Sequence, residues 1–248
     1  MAQYKTDGIV LDGKKFGEAD RILHILTKDR GKISAIAKGV RKGTSKFSGS
    51  LEPIMVNSFL LAEGKNLDIV CQVQNLKSYP VVRSSYDLIM RAGSLLEAAS
   101  KLTEEGLPDE ATYELLLAAL DAINSGSPSE VVELVFKTGL LKANGIFPEL
   151  SGCNKCGKTQ SRAIHFDSRN SAFICDDCAK SDGVYHPVSN EALSVLYKAS
   201  RIDWETSLGL EESTGEEINL EPGVILADEL LAAFIQSNLG RAEMSRNV

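Results

Sequence analysis

Between residues 6 and 73, apolar and polar positions alternate in short bursts, the period of half-buried strands. Residues 6–11, 21–27, 32–38, 54–61 and 67–73 read as five strands. Lys28-Asp29-Arg30-Gly31 is a glycine-bearing turn signal that makes the second and third strands a hairpin. Glu63-Gly64-Lys65-Asn66 marks a second turn, and a Gly-, Ser-, Lys- and Arg-rich stretch, 39–53, separates the third strand from the fourth. Five short strands with one long connection predict a small oligonucleotide-binding (OB) type β-barrel. Strand count alone also admits an SH3-like barrel.

After Tyr79-Pro80 the period changes to that of helices. Leu88, Ile89, Ala92, Leu95, Leu96, Ala99 and Leu102 share one helical face within 84–104. Gly106-Leu107-Pro108 interrupts it, and Asp109 is a candidate N-cap for a helix over 111–123. Pro128 suits the start of a helix over 131–144, which Gly145 closes from the C′ position. Two further helices are predicted over 188–200 and 224–239. The acidic stretch 205–221 reads as an exposed loop, and the polar tail after Gly240 as frayed. No internal repeat is visible. The expected fold class is therefore α+β: a five-stranded OB-type barrel followed by an α-helical domain with an inserted four-cysteine zinc finger. The expected divisions are 1–80 for the barrel, 81–149 for the first helical part, 150–180 for the zinc finger, and 181–248 for the second helical part and tail.

The finger is read from Cys153-x-x-Cys156 and Cys175-x-x-Cys178, two pairs with eighteen residues between them. That spacing is a zinc-site pattern, and four thiolates would close a tetrahedral shell with no position left for water or substrate. The implied zinc is structural. Two disulfides or four reduced core thiols are the plainer alternatives. The fifth cysteine, Cys71, falls in the alternating run Leu67-Asp68-Ile69-Val70-Cys71 and reads as a small buried strand residue.

Composition changes this picture in two ways. Of 248 residues, 43% are hydrophobic and 25% charged, as in ordinary globular proteins, and no apolar run approaches membrane-spanning length. With no signal-peptide core at the N-terminus and a metal-type cysteine pattern, a reducing cytoplasm is expected. The net charge of −7 argues against a simple nucleic-acid binder, but its distribution is uneven. Residues 1–80 carry thirteen Lys and Arg against eight Asp and Glu, while the remainder carries 14 against 26. A basic front on an acidic body suggests an anionic partner at one end only.

Lys28, Arg30, Lys32, Lys38, Arg41, Lys42 and Lys46 concentrate that charge, with Asp29 the one acid among them. Cations on a glycine-bearing loop beside a small barrel suit a phosphate backbone, although a merely solvated loop carries the same charge. Candidate stacking aromatics are few: Phe16, Phe47 and Phe59, of which alternation turns Phe59 inward. Catalytic constellations are missing. There is no phosphate-binding GxxxxGK[ST] loop and no GxSxG elbow. His24 reads as a satisfied strand histidine, His165 as a reserve ligand within the finger, and His186 as a residue without an evident partner. Glu18, Asp20 and Arg21 read as a turn with a structural ion pair.

Several of these segments together resemble the bacterial RecO family of recombination mediators. They are Gly8 to Leu11, Phe16-Gly-Glu-Ala-Asp-Arg21, Leu26-Thr-Lys-Asp-Arg-Gly31, Ala37-Lys-Gly-Val-Arg41, Ser50-Leu-Glu-Pro53, Phe136 to Gly145 and the cysteine quartet. The resemblance spans roughly residues 3–200, and the combination of the Ala-Lys-Gly-Val-Arg strand end with the quartet carries it. It implies a DNA-repair role and no enzymatic turnover. Implied partners are single- and double-stranded DNA, the protein RecR, the C-terminal tail of single-stranded DNA-binding protein and, indirectly, the RecA recombinase. Complementary-strand annealing is the implied activity. Carried over by position, the DNA candidates are Lys38, Arg41, Lys42 and Lys46, then Lys14, Lys15 and Arg21. The zinc ligands are Cys153, Cys156, Cys175 and Cys178. Two rival readings remain at this point: a zinc-ribbon protein adaptor without DNA affinity, and a metal-dependent nuclease, which the closed thiolate shell opposes.

Overall fold

A computed structural model describes residues 2–43, 45, 47, 49–159, 164–167, 170–179, 185–202 and 222–246, with side chains of the last helix described over 223–236. The predicted loop 205–221 and Lys46 lie outside the described residues. The chain divides into two compact units, residues 1–129 and 130–248.

In the first unit the strands are β1 (Gln3–Phe16), β2 (Asp20–Thr27), β3 (Gly31–Ala37), β4 (Val56–Ala62) and β5 (Asp68–Lys77). They close a barrel in the order β1-β2-β3-β5-β4. All pairings are antiparallel except β3 with β5, where Ala35 and Ile36 meet Asp68 and Ile69 in parallel. That order makes this a five-stranded mixed barrel of the OB type. β1 extends the predicted strand at both ends. Its first half pairs with β4, its second half with β2, and a register shift between Val10 and Asp12 lets one strand bend across both neighbours. The extensions are polar (Gln3, Lys5, Lys14, Lys15), so they carry no apolar alternation that would mark them as strand. Val10, Leu23, Ile25, Ala35, Ala37, Leu51, Phe59 and Leu61 fill the barrel.

The β2–β3 turn needs its glycine twice over. Gly31 sits at φ 68°, and a Cβ there would lie 1.8 Å from the Leu107 carbonyl oxygen. Helix α1 (Pro80–Arg83) is a short turn that the hydrophobic pattern does not mark. α2 (Tyr86–Leu102) and α3 (Glu110–Asn124) follow as expected, and the Asp109 side chain accepts from the Thr112 N–H at 3.0 Å. The outer acids of α3 meet barrel cations: Lys28 reaches Glu114 at 2.7 Å and Glu110 at 3.5 Å, and Lys77 reaches Asp121 at 2.6 Å.

In the second unit α4 (Ser129–Ala143) is buried at every position from Val132 to Leu141, as a helix apolar on most of its circumference should be. β6 (Ile164–Asp167), β7 (Ala172–Cys175) and β8 (Tyr185–Val188) form a small sheet in the order β7-β6-β8, and a helical turn, α5 (Asp176–Ala179), follows β7. α6 (Asn190–Arg201) is capped by the Ser189 hydroxyl and packs against α7 (Pro222–Arg246). α7 runs past Gly240, where a frayed tail was expected. Phe166 of β6 meets Phe173 and Phe234 with ring centroids 5.8 and 6.1 Å apart, tying sheet to helix. Inside α4, Lys137 is 5% exposed and holds Glu133 at 2.7 Å and both Asp228 oxygens at 2.9 Å. Among the described residues no helix is long and apolar enough to cross a membrane.

Candidate metal centre and nucleic-acid interface

The four cysteines come together from two local elements. Cys153 to Gly157 forms a knuckle in which Gly157 N–H donates to the Cys153 carbonyl at 2.7 Å and Cys153 N–H donates to the Lys158 carbonyl at 3.0 Å. Asn154 N–H donates to the Phe173 carbonyl at 2.9 Å, fastening the knuckle to β7. β7 ends at Cys175, and α5 brings Cys178 round on its single turn. All four sulfurs lie within 4.8 Å of one another, and Cys156 and Cys175 are 3.7 Å apart. A tetrahedral thiolate site with metal–sulfur bonds of about 2.3 Å has edges of about 3.8 Å, which the Cys156–Cys175 pair already matches, and the other sulfurs need close in by no more than about 1 Å. Burial works against a thiolate at Cys153, but backbone N–H groups of Cys175, Cys156 and Lys155 outweigh it and bring the group down to about 6. Cys178 is pushed up to about 12 by burial and by hydrogen bonds to the other sulfurs. A divalent cation at the centre would supply the positive charge that four adjacent thiolates require. His165 is not part of this cluster. Its Nε2 lies 3.1 Å from Asp176 Oδ1, and the quartet needs no reserve ligand.

At the barrel, the structure sorts the seven-cation segment. Lys28 is neutralised by Glu110 and Glu114, and Arg30 stacks over the Tyr4 ring at 3.7 Å beside Glu63. Lys32 donates to the Ser100 carbonyl; burial lowers its ammonium pKa, with Glu105 and Asp12 opposing. These three are tied to the body of the first unit. Lys38, Arg41 and Lys42 are exposed on the turn after β3. That turn is stapled to the β1–β2 hairpin. Gly39 N–H donates to Asp20 Oδ1 at 2.7 Å, Arg41 N–H to the Ala19 carbonyl at 2.9 Å, and the Arg41 guanidinium to the Gly17 carbonyl at 3.4 Å. Lys14 and Lys15 are exposed on β1 in register with Ile22 and Arg21 of the same hairpin. Five cations thereby gather on one rim of the barrel. Among the described residues none of the five has a carboxylate partner.

Arg21 is different. Its side chain is 15% exposed, lies over Gly13 and binds Glu52 at 2.6 Å. The ion pair expected within the turn is thus made to the connection before β4, while Asp20 serves as an acceptor for the turn backbone. The aromatic candidates also separate. Phe59 is fully buried as alternation indicated, Phe47 is half-buried against the barrel core, and Phe16 is 49% exposed at the hairpin end. His24 Nδ1 lies 2.7 Å from Asp12 Oδ1, a satisfied pair. His186 lines a cavity of about 370 Å³ with Phe166, Leu226 and Glu229. Cys71 is half-buried on β5 rather than buried, its thiol donating weakly to the Ile69 carbonyl.

An OB-type barrel with a basic rim, followed by helices and a four-cysteine cluster, defines a multi-part accessory protein of the nucleic-acid-handling class. Residues 1–79 match the family described as Recombination protein O N terminal, and residues 83–247 match Recombination protein O C terminal. The chain is 37% identical over 180 residues to the DNA repair protein RecO of Rubrobacter xylanophilus, covering 72% of each. It is 30% identical over 249 residues to that of Anaeromyxobacter sp. strain K, covering 99% of this chain and 95% of the relative. Against Bacillus subtilis RecO it is 29% identical over 219 residues, 86% and 84% of the two chains. The chain belongs to the RecO family of DNA repair proteins, which are non-enzymatic recombination mediators, and its cysteine cluster is consistent with the zinc-bearing branch.

Proposed function

We propose that this chain is a cytoplasmic mediator that binds single- and double-stranded DNA through the barrel rim and anneals complementary strands. In this reading it acts with RecR, engages the tail of single-stranded DNA-binding protein, and so helps load RecA. Zinc held by Cys153, Cys156, Cys175 and Cys178 folds the small sheet, whose own core is too small to hold itself. The observation that carries the DNA reading is the gathering of Lys14, Lys15, Lys38, Arg41 and Lys42 on one rim, exposed and without carboxylate partners among the described residues. Cations already paired elsewhere would gain little from phosphate; unpaired ones release counterions when DNA binds. Screening the phosphates of two strands while leaving bases accessible is what annealing requires.

A salt titration of binding to a fluorescent single-stranded oligonucleotide tests this. Five phosphate contacts at about 0.7 counterions each give a log–log slope near −3.5, so affinity falls about 100-fold between 50 and 200 mM salt. Replacing Lys38, Arg41 and Lys42 by alanine together leaves a slope near −1.4, hence a fall of about sevenfold over the same range. A triple variant that keeps the parent slope moves the DNA site off this rim. A zinc-loaded parent that binds no DNA at low salt replaces the DNA reading with that of a protein adaptor.

A further inference from the structure

Outward positions on a barrel sheet are ordinarily polar, because they face water. On this barrel the outward His24–Ser34 pair follows that rule, but the row next to it does not. Leu23, Ala35, Ala37 and Val70 point into the core, so the pleat turns their neighbours Ile22, Ile36 and Ile69 outward. Register makes these three one row across the sheet: Lys14 pairs with Ile22, Ile22 with Ile36, and Ile36 with Ile69. All three isoleucines are half-buried. Phe16 stands two residues beyond Lys14 on the same face, 49% exposed, and Lys38 follows directly on β3. The hairpin that carries Phe16 is tied to the cationic turn by the Gly39–Asp20 and Arg41–Ala19 hydrogen bonds, so ring and cations are held as one piece.

We infer that this outer face is a base-contacting track for unpaired DNA, with Phe16 as its stacking platform and the determinant of preference for single strands over duplex. The inference rests on the proposed rim interface and adds to it what the bases touch. Rim cations recognise phosphate, which both forms of DNA present. A ring exposed beside them recognises the face of a base, which only an unpaired strand offers. The isoleucine row gives the following bases an apolar floor. Charge complementarity selects the occupant: Lys14, Lys38, Arg41 and Lys42 border the apolar strip, and a polyanion with exposed rings satisfies both parts.

The test uses the full zinc-loaded chain, a fluorescein-labelled oligo-dT of twelve nucleotides, and a labelled duplex of twelve base pairs, each titrated at several salt concentrations. Phe16→Ala weakens oligo-dT binding by about 5- to 150-fold, the range of one base-stacking contact, and leaves duplex affinity within about twofold. The oligo-dT salt slope is unchanged, because a phenyl ring releases no counterion. Phe16→Trp restores single-strand affinity to within about threefold of the parent by keeping a π-face. A loss on oligo-dT smaller than about fivefold, or an equal loss on both ligands, overturns the stacking role. The Lys38, Arg41 and Lys42 variant run beside it separates the two claims. A normal cation effect with a neutral Phe16→Ala removes the track and keeps the rim, whereas a neutral cation variant removes the interface on which both rest.

Discussion

Replacing Lys137 by methionine should destabilise the protein strongly, by a mechanism with a distinctive pH signature. The ammonium is 5% exposed and neutralises two carboxylates, Glu133 at 3% and Asp228 at 15% exposure. Methionine fills nearly the same volume, so packing loss is small, but both carboxylates lose the ammonium that sits 2.7 and 2.9 Å from them in a site shielded from water. Breaking a buried pair in this way costs about 3–5 kcal/mol. The upper end is limited by a second route, protonation of one carboxylate, which at pH 7 costs about 3.7 kcal/mol for a glutamate of ordinary pKa. At about 2–4 °C per kcal/mol for a chain of this size, Tm should drop by about 6–15 °C. The sign of the pH effect follows from the proton. The variant's native state keeps a proton on a buried carboxylate that the unfolded chain releases above about pH 4.3, so the variant gains stability as pH falls. Relative to the parent, the gap should narrow by about 1.4 kcal/mol per unit on going from pH 7 towards pH 5. Thermal and urea unfolding of both proteins at pH 7, 6 and 5 measure this. A loss below about 1 kcal/mol, or a gap that stays constant or widens towards acid, refutes the buried-charge account.

Two further outcomes follow from the sites. Metal analysis of protein purified without added metal should give one zinc per chain, and Cys175→Ser should abolish it and make the region around residues 150–180 the first to be cut by protease; full zinc retention would show that the quartet is not the ligand set. Arg21→Ala should lower stability by about 1 kcal/mol, through the lost packing of a side chain only 15% exposed, since Glu52 at 45% exposure stays solvated, with the DNA salt slope unchanged. A slope reduced by about 0.7 in that variant would instead return Arg21 to the set of phosphate contacts.

Local patterns carried much of this architecture. The β2–β3 hairpin, the α2 and α3 helices, the Asp109 cap and the cysteine knuckles depend on residues a few positions apart, whose preferences act in any context. The ends of β1 were not legible, since Lys14-Lys15 looks like a loop until β2 pairs with it. The basic segment shows the limit most clearly. Lys28 and Lys38 are alike as residues, yet one is neutralised by Glu114, 86 positions away, and the other has no carboxylate partner among the described residues. Phe16 and Phe47 likewise differ only in what folds over them.

By itself, then, the sequence determined that there are strands followed by helices, that four cysteines can share one cation, and that positive charge lies in the first eighty residues. These are matters of period, spacing and composition. Only the tertiary structure decided the parallel β3–β5 pairing that closes the barrel, the Arg21–Glu52 and Lys137–Asp228 pairs, which cations of the basic segment are tied to carboxylates, and the outward row of isoleucines beside Phe16. Each depends on chain segments brought together across loops of tens of residues. The free energy of such contacts resides in burial and register, which no local window contains.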